Sequence, residues 1–196
     1  MREKKKNIAP FINHRLVTVT GLLLLCMLFS GRLRAQAPGS REYKIKAAFI
    51  FNFTQFVEWP VGAFNTPNAP FVIGILGDDP FGNTIDEIVN TEKVGAHQIV
   101  VQRYHDLRDM KSCHILFING ADPEKVKENL LAINRYTLTV SDADNFMKAG
   151  GIIRLITENN KIRLQINPDA ARNAELSISA KLLRVSEIFD PRSQPK

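Results

Sequence analysis

Three histidines, one cysteine and a pair of adjacent aspartates are the residues whose types could do chemistry beyond the N-terminal segment of this sequence. His97 and His114 each open an apolar run, HQIVVQRY and HILFING, and Cys113 directly precedes His114. Imidazole and thiolate are ligands zinc prefers, so a site at one sheet edge is conceivable. No two of His97, His105 and His114 share metal-ligand spacing on one helix face, however, and ordinary strand-opening positions account for them without a metal. The chain has no GxSxG elbow, CxxC pair, HExxH or Walker loop. A hydrolase would need a nucleophile with a positioned base, and neither is legible. The expectation is a non-enzyme with no catalytic residue, metal or cofactor.

The best small-ligand candidate is GDDPFG, with Gly77, Asp78 and Asp79 just past an apolar strand and just before a helix. Open α/β sheets bind ligands at such places, where backbone N–H groups attract anions. Two aspartates would repel an anion, and acids capping a helix are commonplace, so a turn-and-cap reading stands beside the ligand reading. Arg154 and Arg163 sit in two consecutive strands whose pairing would bring them near one end of the same sheet. Such a cationic edge could hold a carboxylate, or simply pair across the strands with Glu158.

These residues must be positioned by a chain whose first segment is not structural. MREKKKNIAPFINHR is basic, Leu16 to Phe29 is a compact apolar run, and Ala35 and Ala37 supply small residues for cleavage. This is the pattern of a secretory signal over residues 1–35, with a signal anchor as the alternative. Cys26 follows Leu24 and Leu25 rather than small residues, which argues against lipid attachment. Seven of the 26 basic residues and one of the 20 acids precede the cut, leaving 19 of each sign. The mature protein is formally neutral, so no nucleic-acid footprint survives export and no membrane insertion is expected after cleavage. Only Cys113 remains, which excludes an intramolecular disulfide; it is either a buried structural thiol or a partner for an intermolecular one.

The mature chain reads as a single α/β domain over 36–190 with a frayed 191–196 tail. REYKIKAAFIFNFTQFVEWP has helical spacing, with Ile45, Phe49, Phe53, Phe56 and Val57 on one face and Pro60 as its stop; a strand competes, since Phe49, Phe51 and Phe53 also alternate. Apolar strands then alternate with short helices: FVIGIL before NTIDEIVN, HILFING before a helix capped by Asp122 with Pro123 at its first position, and YTLTVSD before ADNFMKAG. This alternation predicts a three-layer sandwich, a mostly parallel sheet with helices on both faces. GIIRLITENNKIRLQIN adds an antiparallel hairpin turning at Glu158-Asn159-Asn160 at one edge. PDAARNAELSISAKLLRVSEIF reads as one final helix with two apolar stripes. Ala174, Ile178, Leu182, Val185 and Phe189 form the first, and Leu176, Ala180 and Leu183 the second. One stripe needs the sheet; the other needs either the first helix or another protein.

AAFIFNFTQFVEWP, GILGDDPFG, SCHILFI and INPDAARNAELSISAKLLRV, in this order, resemble the YfiR-like family of periplasmic regulators, and the resemblance covers about residues 41–190. It implies a non-catalytic periplasmic α/β protein that docks on the periplasmic sensor domain of an inner-membrane diguanylate cyclase and holds it inactive, restraining cyclic di-GMP and biofilm. Members also accompany other membrane signalling proteins such as sensor kinases, dimerise, and respond to redox state through disulfides. Here Cys113 is kept, but its usual earlier partner falls at Gly74 and no later pair exists. The predicted partner or dimer surface is Phe51, Phe53, Glu58 and Trp59 with Leu176, Ile178, Leu182 and Leu183. The alternative function is a periplasmic small-ligand receptor or an accessory protein of a sensor kinase.

Overall fold

The computed structural model describes residues 38–120 and 122–191. The signal expected over 1–35, and all but the first residue of the expected tail, lie outside the described residues. Helix α1 (Pro38–Phe53) leads to β1 (Val57–Glu58), β2 (Phe71–Leu76), α2 (Thr84–Val89), β3 (Lys93–Val94), β4 (His97–Tyr104) and β5 (Ile115–Ile118). Then come α3 (Pro123–Ala132), β6 (Leu138–Ser141), β7 (Ile153–Glu158), β8 (Lys161–Ile166), α4 (Pro168–Asn173), β9 (Ser177–Ile178), α5 (Ala180–Arg184) and β10 (Glu187–Ile188).

The main sheet runs β10-β8-β7-β6-β5-β2-β4-β3. Its centre, β4-β2-β5-β6-β7, is parallel, while β7–β8 and β3–β4 are antiparallel. Side chains alternate across it as a pleated strand requires. Phe71, Ile73 and Ile75 of β2 join Ala47, Ile50 and Phe53 of α1 and Ile85 and Val89 of α2 in one core. On the other face Val72, Leu76, Leu116 and Ile118 pack with Val126 of α3, Phe146 and Phe189. Helices cover both faces, so the predicted α/β sandwich is the observed fold. Among the described residues no helix is long and apolar enough to cross a membrane.

Several local expectations hold. Asp122 Oδ1 accepts from the N–H groups of Glu124 and Lys125 at 3.1 and 3.4 Å, with Pro123 opening α3. Asn159 and Asn160 turn the hairpin with φ of 50° and 59°, the two left-handed positions of a tight hairpin turn.

Others are corrected. The first helix stops at Phe53 rather than Trp59. Thr54, Gln55 and Phe56 each donate to the carbonyl three residues back, and the Thr54 hydroxyl also bonds the Phe51 carbonyl at 2.7 Å. The tightened turn releases Val57–Glu58 to pair with β9. The buried face is also shifted from the one expected: Ala47, Ile50 and Phe53 are enclosed, Phe49 is half-buried and Ile45 is exposed. ADNFMKAG is a run of turns whose Phe146 and Met147 plug the second core.

The final helix does not exist as one element. α4 ends in a left-handed cap: Glu175 has φ 58°, its N–H donates to the Arg172 carbonyl at 2.9 Å, and Leu176 N–H donates to the Ala171 carbonyl at 2.9 Å. After the two-residue β9, Ser179 restarts a helix, its Oγ accepting from Leu182 N–H at 3.3 Å. No glycine or proline marks either break, so periodicity read straight across them.

Candidate functional site

The two segments predicted to form the interaction surface do meet. Val57 pairs with Ile178 and Glu58 with Ser177 in the antiparallel β1–β9 ribbon, and Ser179 N–H donates to the Phe56 carbonyl at 2.8 Å. Their apolar residues largely serve the core, however. Phe53, Leu176 and Leu182 are buried in it, and Phe51, Trp59, Ile178 and Leu183 are half-buried against it. Of the eight predicted residues only Glu58 is fully exposed. Splitting the final helix lets Leu176 and Leu183 of the second stripe join the same core as Ile178 and Leu182 of the first, while Ala180 and Val185 stay exposed.

At the amino ends of the parallel strands the structure brings His97 and His114 together, with Phe64 between them. The Phe64 ring stacks on His97 at 3.7 Å and on His114 at 4.6 Å, and Phe71 packs on His114 as well, at 4.7 Å. The ring of His114 is fixed at both nitrogens. Nδ1 accepts the Val72 N–H at 3.0 Å, so Nε2 carries the proton and donates to the Ala63 carbonyl at 3.2 Å. Burial pushes its pKa down to about 4, against the opposing pull of the Ala63 carbonyl. Trp59 joins the cluster edge-on to Phe71 at 4.8 Å and donates its indole N–H to the His114 carbonyl at 3.2 Å. The pair of imidazoles therefore clasps an aromatic ring and pins the 59–70 loop. Among the described residues no group of three His, Cys, Asp or Glu is placed to hold a metal ion. Phe64 was missed in the sequence because nothing local distinguishes it; its role comes from strands distant in sequence.

At the carboxyl ends of the strands, β2 lies between β4 and β5, the point where the chain reverses its direction of travel across the sheet. A crevice of about 830 Å³ opens there, lined by Gly77, His105, Arg108, Asn119, Asp122 and Lys125 among others, over a floor of Leu76, Ile118 and Val126. Gly77 alone of the predicted ligand residues reaches it. Its φ is 92°, and a Cβ there would lie 2.5 Å from the Asn119 carbonyl oxygen, so the glycine is required for the approach of two loops.

Asp78 and Asp79 point to other tasks. The Asp78 carbonyl accepts from the Asn119 side chain at 2.7 Å. Asp79 caps Phe81 N–H at 2.7 Å and takes the Arg103 Nε–H at 2.7 Å. Arg103 spreads its remaining donors over the Asp86 carboxylate and the Gly82 carbonyl. Its guanidinium holds the Asp86 carboxyl below the usual range. The GDDPFG segment is thus a turn tied down by an arginine from β4.

Arg154 and Arg163 do lie on one face of the hairpin, as diagonal neighbours in the register. Each has its own acid: Arg154 pairs with Asp144, and Arg163 with Glu158 at 2.6 Å. The Arg154 Nε–H is enclosed with no hydrogen-bond partner among the described residues. Cys113 is free and buried, its Sγ donating to the Ile115 carbonyl at 2.8 Å, and burial pushes the thiol up to about 12.

Among curated proteins none matches the chain. One family model does, over residues 43–187, from the first turns of α1 to the first residue of β10; it is described as YfiR/HmsC-like, DUF4154. The match takes in both segments of the β1–β9 ribbon, the GDDPFG turn and Cys113, the same stretches whose order carries the resemblance in the sequence. With well over half of the chain matched, the protein belongs to the YfiR/HmsC-like family.

Proposed function

We propose that the mature protein is a periplasmic, non-catalytic regulator that docks on the sensor domain of an inner-membrane signalling protein and represses it. The partner is a diguanylate cyclase, so the protein restrains cyclic di-GMP and biofilm, and it acts as a homodimer. Family membership over residues 43–187 is the observation that carries this reading. The export signal read in residues 1–35 and the balanced charge of the mature chain agree with it. The test is deletion of the gene with measurement of cellular cyclic di-GMP, coupled to capture of partners by the mature protein from solubilised inner membranes. A rise in cyclic di-GMP and recovery of a cyclase support the proposal. Unchanged cyclic di-GMP with recovery of a sensor kinase would replace the cyclase by that kinase. Sedimentation of the purified protein decides the dimer.

The crevice at the carboxyl ends of β2, β4 and β5 favours a second reading, a small-ligand receptor. The two are compatible if a ligand bound there alters partner release. A tightly retained small molecule in the purified protein, with no membrane partner captured, would favour the receptor alone.

A further inference from the structure

Among the described residues the β8 edge of the sheet is uncovered over Lys161–Leu164, about two thirds of its length. β10 covers only Gln165 and Ile166, where Phe189 N–H donates to the Ile166 carbonyl at 2.7 Å. That bond shows that Ile166 turns its backbone groups outward, and the alternation of an antiparallel strand then turns those of Leu164 and Ile162 outward too. No strand pairs with β8 at Lys161–Leu164 on this side among the described residues. The chain peels away here because α5 ends at Arg184 and Val185 and Ser186 swing wide before β10 begins. Between them lies a groove of about 560 Å³ lined by Phe49 of α1, Ile162, Arg163 and Leu164 of β8, and Arg184 to Glu187. Val185 is 73% exposed at its rim, and Ile45, one helical turn before Phe49, is exposed as well.

We propose that this groove receives an extended, acidic segment of the partner protein, added as a short strand against the free edge of β8. The proposal rests on the regulator reading and names where and how the partner is held. Two features select the occupant. Unpaired backbone N–H and C=O groups at a sheet edge are satisfied by another extended backbone and not by a helix face. The charges around the groove then choose its sign. Lys161, Arg163 and Arg184 face two carboxylates, Glu158 and Glu187, both of which act on Arg163. Glu187 is further held by Gln165 at 2.7 Å, while Lys161 and Arg184 have no ion-pair partner among the described residues. Basic side chains along an open edge deter neutral and basic strands and admit acidic ones. Phe49, Ile162 and Val185 provide the apolar contacts for alternate side chains of the added strand.

The test uses the mature protein labelled for backbone NMR and two synthetic pentapeptides, acetyl-Glu-Val-Glu-Val-Glu-amide and its lysine counterpart. The acidic peptide should shift the amides of Ile162, Leu164 and Ser186 and slow hydrogen exchange at Ile162 and Leu164, and the basic one should not. Val185→Glu should weaken the acidic peptide at least tenfold while keeping the thermal melt. Equal responses to both peptides, or none at the β8 edge, would overturn the proposal. So would protection of Ile162 and Leu164 that grows with protein concentration alone, which would make the occupant a second copy. Repression in cells separates the two claims. If Val185→Glu still lowers cyclic di-GMP, the regulator stands and this surface is wrong; if the wild type never lowers it while the peptide binds as described, the reverse holds.

Discussion

A Cβ placed on Gly74 of β2 would lie 2.7 Å from the Cys113 sulfur, close to the separation of about 3 Å that an S–S bond imposes between one Cβ and the far sulfur. The partner position named by the resemblance is therefore next to Cys113 in space as well as in family pattern, and only the thiol is missing. Gly74→Cys should form an intramolecular disulfide in oxidising buffer. Leu116 and the Tyr104 ring, each 2.9 Å from the same point, must shift, at a cost of about 1–3 kcal/mol. Comparing oxidised with reduced protein of the same variant cancels that cost and leaves the cross-link, worth about 3–4 kcal/mol for a loop of this length. The urea midpoints of the two forms give the difference; two free thiols after oxidation would refute the geometry.

Cys113 in the natural chain should be inert. Its sulfur is enclosed, and with the thiol pushed up to about 12 the attacking thiolate is scarce at neutral pH. Alkylation by iodoacetamide at pH 8 should be negligible in the folded protein and fast in urea, and oxidised protein should show no disulfide-linked dimer on a non-reducing gel. Rapid labelling of the native state would show that the β2–β5 region opens readily.

His114 makes stability depend on pH in one direction. Its folded pKa, about 4, lies below the unfolded value of 6.5, so between these values the unfolded chain holds more protons. Stability is therefore fully present above pH 6.5 and is lost as pH falls toward 4, by at most about 3 kcal/mol. Protonating Nδ1 would also strip the Val72 N–H of its acceptor and set a charged ring against the Phe64 stack, with His97 on its other side. Urea midpoints at pH 7 and pH 4.7 should differ in the wild type and differ much less in His114→Gln. Glu42 and Asp86 are held low only in the folded state and begin to take up protons in the unfolded chain as pH nears 4.7, but this contribution is common to both proteins and cancels in the comparison.

The layers of the fold were legible because apolar runs and helical spacing recur from Phe71 to Ala132, with a polar segment in place of an α-helix between β4 and β5, and Asp122, Pro123 and the two hairpin asparagines are local signals. The breaks in the C-terminal segment and the buried face of α1 were not, for two physical reasons. Glu175 adopts a left-handed conformation that a glycine would have announced, so one helix was read where a helix, a strand and a second helix stand. And α1 turns Ala47 and Ile50 to the core because Lys46 must reach Asp142, a pairing across 96 positions that no window of sequence contains. The same rotation leaves Phe49 half-buried at the edge of the core and Ile45 exposed.

That lysine is itself a test. Its ammonium bridges Glu42 and Asp142 at 2.5 Å each, lies over the Tyr43 ring, and its side chain is only 3% exposed. Tyr43 donates its hydroxyl to the same Asp142 oxygen at 3.0 Å. Removing Lys46 leaves Glu42 and Asp142 unpaired, but at 30% and 19% side-chain exposure both can recruit water, so Lys46→Ala should lose about 1–3 kcal/mol, less than a fully enclosed pair would. Lys46→Met with Asp142→Leu removes both charges and should recover much of that loss. If the double variant is no more stable than Lys46→Ala, the lysine acts by packing and not by charge.

Leu182 and Val185, three residues apart in the C-terminal segment, divide the core from the surface. Leu182 is 5% exposed and belongs to the core shared by α1 and the sheet, whereas Val185 caps the end of α5, its N–H donating to the Leu182 and Leu183 carbonyls, and projects into solvent. A carboxylate in place of Leu182 would be buried without a partner, which costs on the order of 4–5 kcal/mol or more and approaches the whole stability of a domain. A carboxylate in place of Val185 stays hydrated and should change stability by less than about 0.5 kcal/mol. Leu182→Glu should thus lose its cooperative melt by circular dichroism, and Val185→Glu should keep it while failing to capture the membrane partner. Capture lost in Leu182→Glu alone would carry no information on docking, because that variant is unfolded. Capture retained by a folded Val185→Glu would move the docking surface away from the β8 edge and back toward Glu58 and the β1–β9 ribbon.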